Sequence, residues 1–299
     1  MSKTYEIHSL SAGAPRIAIL GGSGLYRLPG AERLDELEVP TPFGAPSGLI
    51  TIALLSGKSI AFLSRHGSAH GVAPQQINYR ANLWALKSLG VEGVISSSAV
   101  GSLVASHGTD TFAVPDQLID RTWGRADTYY DGTLPTGVQH LPAAEPYCAA
   151  LRGVVITALE KLGEGFRDHG TVAVINGPRF ATRAESEILA AGGAHLISMT
   201  QYPEPVLAAE LNMGFANLSY VTDANTGHDG SASVTAEIVL ARLEAAQSRI
   251  LAVLGAVTEL LETDYVGPQL MDSAAVRRVL EYRPPSLEKG PAFQQQVQS

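Results

Sequence analysis

Two hydrophobic periods alternate along this chain, and that alternation limits its fold more than any other feature. Short β-branched or apolar runs exchange with longer helical patterns from Arg16 almost to Leu261, the arrangement that builds a largely parallel sheet covered by helices. The runs at 17–20, 60–64, 94–100, 171–175, 196–199 and 215–222 read as strands, each ending beside Gly, Ser, Thr, Asn or Asp. Between them, 77–89 is closed by Gly90, 147–162 by Gly163 and 203–213 by Gly214, the residue favoured just past a helix end. A long pattern over 234–262, with Ile238, Leu240, Leu243, Ala246, Ile250, Val253 and Leu254 on overlapping turns, predicts a final helix packed on the sheet. There is no internal repeat, and no Pro/Gly linker divides the middle. The 299 residues are therefore expected to form a single domain, with 1–15 as an N-terminal tail and 266–299 as a C-terminal tail or interface arm.

Charge and cysteine content narrow the function class. The net charge is −8 with no block of Lys and Arg, which opposes non-specific nucleic-acid binding. No apolar run approaches the ~18 residues that cross a bilayer. The N-terminus lacks a charged-then-apolar secretory design, and the single cysteine, Cys148, has no partner for an internal disulfide. A cytoplasmic protein with small-molecule partners, and with neither nucleic acid nor membrane, is the expectation.

Four segments carry chemistry-bearing residues, all at predicted strand ends. Gly21-Gly22-Ser23-Gly24 follows an apolar strand, where glycines turn backbone N–H groups toward an anion and Ser23 adds a hydroxyl; a plain tight turn is the competing reading, since neither the dinucleotide fingerprint nor the P-loop is present. Arg65-His66-Gly67 supplies two cationic donors suited to phosphate, the arginine through its planar fork. His66 and His70 are four apart, but Gly67 and Gly71 break the helix that metal ligation would need and no carboxylate or cysteine accompanies them, so no metal site is expected. Ser96-Ser97-Ser98-Ala99-Val100-Gly101-Ser102 turns a buried strand into hydroxyls and small residues that let a flat ligand approach; a serine nucleophile is disfavoured because G-x-S-x-G is missing. Finally come Asn176-Gly177-Pro178-Arg179-Phe180, Met199-Thr200 and Thr222-Asp223-Ala224-Asn225. Phe180 offers a stacking face, Met199 an apolar contact, and Asp223 with Asn225 a polar pair for the edge of a heterocycle. Each also has a plain reading, Met199 as core and Asp223 as a helix cap. Ligands of open α/β sheets bind outside the carboxyl ends of strands, so the four segments are expected to converge.

Taken together, Gly21-Gly22-Ser23-Gly24-Leu25, Arg65-His66-Gly67, Asn78-Tyr79-Arg80-Ala81-Asn82, Ala99-Val100-Gly101-Ser102, Asp116-Gln117-Leu118-Ile119-Asp120-Arg121-Thr122, Gly177-Pro178-Arg179-Phe180, Met199-Thr200 and Thr222-Asp223 resemble the trimeric purine nucleoside phosphorylase family, most closely its methylthioadenosine phosphorylase branch. The resemblance covers about 16–234. It implies a single-domain three-layer α/β fold with a central mixed sheet flanked by helices, a homotrimer or hexamer, and no cofactor beyond inorganic phosphate as co-substrate. It implies phosphate contacts from Ser23, Arg65, His66, Ser98 and Thr200, the ribose near Met199, and the purine against Ala99, Phe180, Thr222 and Asp223. It also implies that His140 reaches toward the 5′ end of a neighbouring subunit's substrate. Arg65 and His66 would hold phosphate against the developing ribosyl cation, and Asp223 would accept a hydrogen bond from, or deliver a proton to, purine N7.

The chain departs from the pattern at Asn225, where the resemblance leads one to expect a second aspartate. A carboxylate only accepts and favours a 6-amino group, whereas an amide serves a 6-amino or a 6-oxo group according to which way it turns. Asp223 still argues for adenine, with a 6-oxopurine as the alternative. Val234 suggests an apolar wall for a 5′-substituent that is not hydroxyl, such as methylthio or halogen. A non-catalytic purine-binding module and a hydrolase are the rival classes, and the phosphate set argues against both.

Overall fold

The computed structural model describes residues 13–67 and 71–284; His70, most of the expected N-terminal tail and 285–299 lie outside the described residues. In chain order the elements are β1 (Ile17–Gly21), β2 (Glu32–Leu37), β3 (Ile50–Leu55), β4 (Lys58–Ser64), α1 (Tyr79–Ser88), β5 (Gly93–Ser102), β6 (Phe112–Ala113), β7 (Gln117–Arg121), α2 (Ala149–Lys161), β8 (Phe166–Arg167), β9 (Thr171–Ile175), α3 (Arg183–Ala191), β10 (Leu196–Ser198), α4 (Glu204–Glu210), β11 (Gly214–Asp223), α5 (Ala236–Leu260) and α6 (Ser273–Glu281). The strands join one sheet whose main path runs β2-β3-β4-β1-β5-β10-β9-β7, with β11 on the other edge of β5.

The strand alternation sorts the core into two faces. Ala18 and Leu20 pack with Leu83, Leu207 and Val276 of α1, α4 and α6, while Ile17 and Ile19 pack with Val155 of α2 and Leu243, Ile250 and Val253 of α5. Successive residues of one strand thus feed opposite layers, which is the period-two rule made into three layers. In α5 the buried stripe is Leu243, Ala246, Ile250, Val253, Leu254 and Val257, at helical spacing; Leu240, expected on that stripe, is exposed.

The sheet is mixed, as the resemblance implies; most of its pairings are parallel, as alternation suggests, and β10 is where the direction reverses beside β5. β10 runs antiparallel to β5, while β9 runs parallel to β10 and β7 parallel to β9; alternation in sequence fixes layering but not strand direction. The stretch from 266, read in the sequence as a tail or arm, packs on the body as far as 284. Asp272 caps α6 by accepting from Ala274 N and Ala275 N, Ala275, Val276 and Val279 are buried, and Trp84 Nε1 donates to the Val279 carbonyl at 3.1 Å.

Candidate active site

The site is set by a break in pairing along β5. On one edge, β5 pairs in parallel with β1 from Gly93 to Ser96, and with β10, antiparallel, only from Gly101 to Ser102. Between these ladders 97–100 has no partner strand on that edge. The carboxyl ends of β1 and β10 approach the gap from opposite directions, so the Gly21-Gly22-Ser23 loop and Met199-Thr200 face each other across the middle of β5. The expected convergence holds, through opposed rather than parallel strands.

Under the gap lies a buried ion pair. Arg65 is fully buried; its Nε and Nη2 grip the two oxygens of Glu204 at 2.5 and 2.9 Å, Nη2 also donates to Ser96 Oγ and Nη1 to the Ser97 carbonyl. The bidentate fork expected on phosphate is therefore made on a carboxylate, because burying a guanidinium requires a paired charge. Nη1 remains beside the glycine loop, since a Cβ on Gly22 would lie 2.8 Å from it and overlap the Ser97 carbonyl. His66 closes the turn after β4, its Nδ1 donating to the Val72 carbonyl at 2.8 Å.

A chain of side chains extends from the ion pair through the core. Tyr147 donates to Gln201 Oε1, Gln201 Nε2 to Ser219 Oγ, Ser219 to Asn217 Oδ1, and Asn217 Nδ2 to both Ser96 and Ser98. Ser96 gives its own proton to Glu204 at 3.4 Å. Ser98, in contrast, accepts from Asn217 and has no hydrogen-bond acceptor of its own among the described residues; the hydroxyls of Ser23 and Thr200 likewise have none. Three hydroxyl protons, from the loop after β1, the middle of β5 and the turn after β10, are thus uncommitted around the break in pairing.

Asp223 ends β11 at a bulge, where pairing with β5 shifts between Val221 and Asp223, and such irregularities re-aim side chains. Its oxygens accept from Thr222 Oγ1 and from Asn225 N, both at 2.8 Å. Burial pushes its carboxyl above the ordinary aspartate range, against the pull of those two hydrogen bonds. Thr222, expected to touch substrate, is fully buried, its hydroxyl donating to Asp223 at 2.8 Å with the Val100 carbonyl at 3.3 Å, so that it holds Asp223. Val234, half-buried, is tied back by donation from its N to the Asn225 carbonyl at 2.8 Å. A cavity of about 410 Å³ opens beside Asp223, lined by Ala224, Ser231, Ala232, Ile238 and Arg242 among others; it reaches none of the three free hydroxyls.

The remaining candidates fall around this centre. Met199 packs on Gly177, whose φ is +70° and whose absent Cβ would sit 2.7 Å from Met199 Sδ. Phe180 is partly exposed and Ala99 half-buried. His140 is exposed in the loop after the Asp131–Val138 bridge and meets none of the others. Sequence reasoning missed Glu204, Asn217 and Arg125. Asn217 and Ser219 did leave a signal, polar residues at period two inside an apolar strand. Arg125 left none, yet its guanidinium donates to the carbonyls of Asn176, Met199 and Tyr202, knitting the ends of β9 and β10.

Among the described residues no helix is long and apolar enough to cross a membrane. The phosphorylase superfamily model matches residues 16–259. The S-methyl-5′-thioadenosine phosphorylase of Mycolicibacterium smegmatis is 46% identical over 228 residues, 76% of this chain and 84% of the relative. The 6-oxopurine nucleoside phosphorylase of Pyrococcus furiosus is 42% identical over 229 residues, 75% of this chain and 85% of the relative. The solved methylthioadenosine phosphorylase from Schistosoma mansoni in complex with adenine superposes with a TM-score of 0.78 at 30% identity, covering 89% of this chain and 96% of that one. The match spans every strand of the sheet and both sides of the break in β5, and the chain is an enzyme of the phosphorylase superfamily.

Proposed function

We propose that this enzyme uses inorganic phosphate to split the N-glycosidic bond of a purine nucleoside, and that its substrate is methylthioadenosine or another 5′-deoxy-5′-substituted adenosine, 5′-halogenated ones included. The observation that carries the reading is the set of uncommitted hydroxyl protons on Ser23, Ser98 and Thr200 combined with the buried Asp223 at the end of β11. Phosphate accepts from the hydroxyls, with Arg65 Nη1 and the His66 ring beside them. A phosphate oxygen forms a bond to ribose C1′ as the C1′–N9 bond breaks and its electron pair passes to the purine. Asp223, kept protonated to higher pH by burial, delivers a proton to N7, and the products are free base and the 5-substituted ribose 1-phosphate. Ala99, Phe180 and Met199 flank the base and ribose. Val234 supplies an apolar wall at the 5′ end, where a buried hydroxyl left unpaired would cost ~1–3 kcal/mol.

A homotrimer belongs to the same reading. Trp123, Val138 and Ile188 are large apolar residues left mostly exposed, and in this reading the exposed His140, two residues from Val138, meets a neighbouring copy's 5′ group. Relatives named for 6-oxopurine nucleosides match this chain at 42 and 43% identity, so the base is tested directly. Purified enzyme is incubated with methylthioadenosine and methylthioinosine, with and without phosphate, and free base and sugar phosphate are separated by chromatography. Adenine release that requires phosphate is expected. Preferential hypoxanthine release moves the enzyme to 6-oxopurines, and release of base without phosphate, or none at all, overturns the reading.

A further inference from the structure

The Asn225 amide can present either of its two ends, and a second residue decides which. Asn225 follows Asp223 by two positions, adopts a left-handed backbone with φ 51°, and donates its backbone N–H to Asp223 Oδ1. Its side chain is buried against α3, with Nδ2 2.6 Å from Ser186 Oγ. Ser186 is itself buried and its hydroxyl donates back to the Thr182 carbonyl at 2.9 Å, the common habit of a serine one turn into a helix.

A hydroxyl has one proton. Ser186 gives it to Thr182, so toward Asn225 its oxygen accepts, and the amide turns Nδ2 to it. The inverted amide would set two acceptor oxygens 2.6 Å apart unless Ser186 gave up its hydroxyl bond to the Thr182 carbonyl. Asn225 Oδ1 is then the free end, with no hydrogen bond among the described residues. It stands next to a carboxyl group that Thr222 and Asn225 N already hold in place.

We propose that Ser186 is the specificity-positioning residue of this enzyme: by locking the Asn225 amide it makes asparagine act as the acceptor an aspartate would be, and so selects a 6-amino over a 6-oxo purine. The inference rests on the base lying against Asp223 and Asn225, as in the proposed function. A 6-amino group donates to Oδ1; a 6-oxo group would face it oxygen to oxygen, leaving both unpaired, and a site built around one hydrogen-bond sense rejects its opposite strongly.

The test compares kcat/KM for methylthioadenosine and methylthioinosine in wild type, Ser186→Ala, Ser186→Thr, Asn225→Asp and the Ser186→Ala/Asn225→Asp pair, with calorimetric binding of adenine and hypoxanthine in parallel. Ser186→Ala frees the amide and is expected to lower the 6-amino to 6-oxo ratio by at least ~10-fold, mainly by gain on the 6-oxo side. Ser186→Thr keeps the hydroxyl and the ratio. In the Asn225→Asp background a carboxylate has no wrong end, so adding Ser186→Ala leaves the ratio unchanged. An equal loss on both nucleosides overturns the proposal, as does a ratio shift that Ser186→Ala still produces once Asn225→Asp has removed the amide. A wild type that prefers hypoxanthine overturns it while phosphorolysis stands. Base binding without phosphate-dependent release overturns the proposed function, and the adenine to hypoxanthine binding ratio of the same variants then decides the role of Ser186.

Discussion

Gly101 and Asp223 occupy adjoining positions across the β5–β11 ladder so closely that a Cβ on Gly101 would lie 2.9 Å from Asp223 Oδ1, with Ile197 Cγ2 at 3.0 Å and Asn225 Cβ at 3.4 Å behind it. The glycine is what allows the carboxylate its place. Gly101→Ala must push Asp223 outward or spread β10 from β5. Such overpacking costs about 1–3 kcal/mol, and a shift of the reacting group lowers kcat/KM about 100-fold. Urea unfolding and steady-state kinetics check both, and an alanine variant with full activity would contradict the assigned role of Asp223.

The raised pKa of Asp223 sets a pH dependence. Burial favours the protonated acid, so the proton delivery proposed for Asp223 would be retained to higher pH than an ordinary aspartate allows and lost as pH rises through the folded-state pKa. In wild type the alkaline limb of kcat/KM carries that titration. Asp223→Asn is expected to lower kcat/KM by about 10²–10⁴-fold and to remove the limb. The same limb persisting in the variant would assign it to another group.

The Arg65–Glu204 pair predicts strong non-additivity. Removing either partner leaves an unpaired buried charge, which costs about 3–5 kcal/mol, so Arg65→Met and Glu204→Leu are each expected to be severely destabilised. The double variant removes both charges and should recover much of that loss. Activity should stay lost, since the positive potential beside the glycine loop is gone. Additive losses in urea unfolding would show that the two side chains are not coupled.

Glu210 predicts pH-dependent stability. It accepts from Thr128 Oγ1 at 2.6 Å and from Tyr129 N at 2.7 Å, and burial pushes its carboxyl up to about 7 from an ordinary 4.5. Between those values the folded chain holds a proton that the unfolded chain has released. Stability from this group is therefore present at low pH and falls as pH rises through about 7, by on the order of 3 kcal/mol in all. Thermal unfolding of wild type should lose stability from about pH 5 to pH 8 that Glu210→Gln does not lose. Parallel curves would exclude Glu210 as the source.

Much of this was legible in the sequence, for identifiable reasons. β1, β4, β5, β9, β10 and β11 are buried strands, so hydrophobic runs mark them, and the β9 boundaries fall where the pattern places them. β2 was not legible: Glu32-Arg33-Leu34-Asp35-Glu36-Leu37 lies at the sheet edge, largely exposed, and an edge strand needs no apolar signature. β3 and β4 meet through Ser56 and Gly57, both at positive φ, a hairpin turn that the Ser-Gly pair signals only weakly. At the site, residues that end strands were found because small polar residues gather there. Glu204 was not, because one acidic residue in the first turn of a helix ordinarily complements the helix dipole at the surface, and only the folded chain brings Arg65 to it.

The run of hydrogen bonds from Tyr147 to Ser98 has a direction. Every group in it donates one way, from the phenol through Gln201, Ser219 and Asn217 to the last hydroxyl, so the Ser98 proton is turned outward before any reactant arrives. An anion rich in lone pairs meets donors already aimed at it, and little reorganises as the bond to carbon forms. A water molecule in the same seat can accept from only two of those donors and must find partners for two protons of its own. In the proposed reaction the choice between phosphate and water as the attacking species thus starts in the polarity of the core, at a tyrosine on the far side of Gln201 that touches neither.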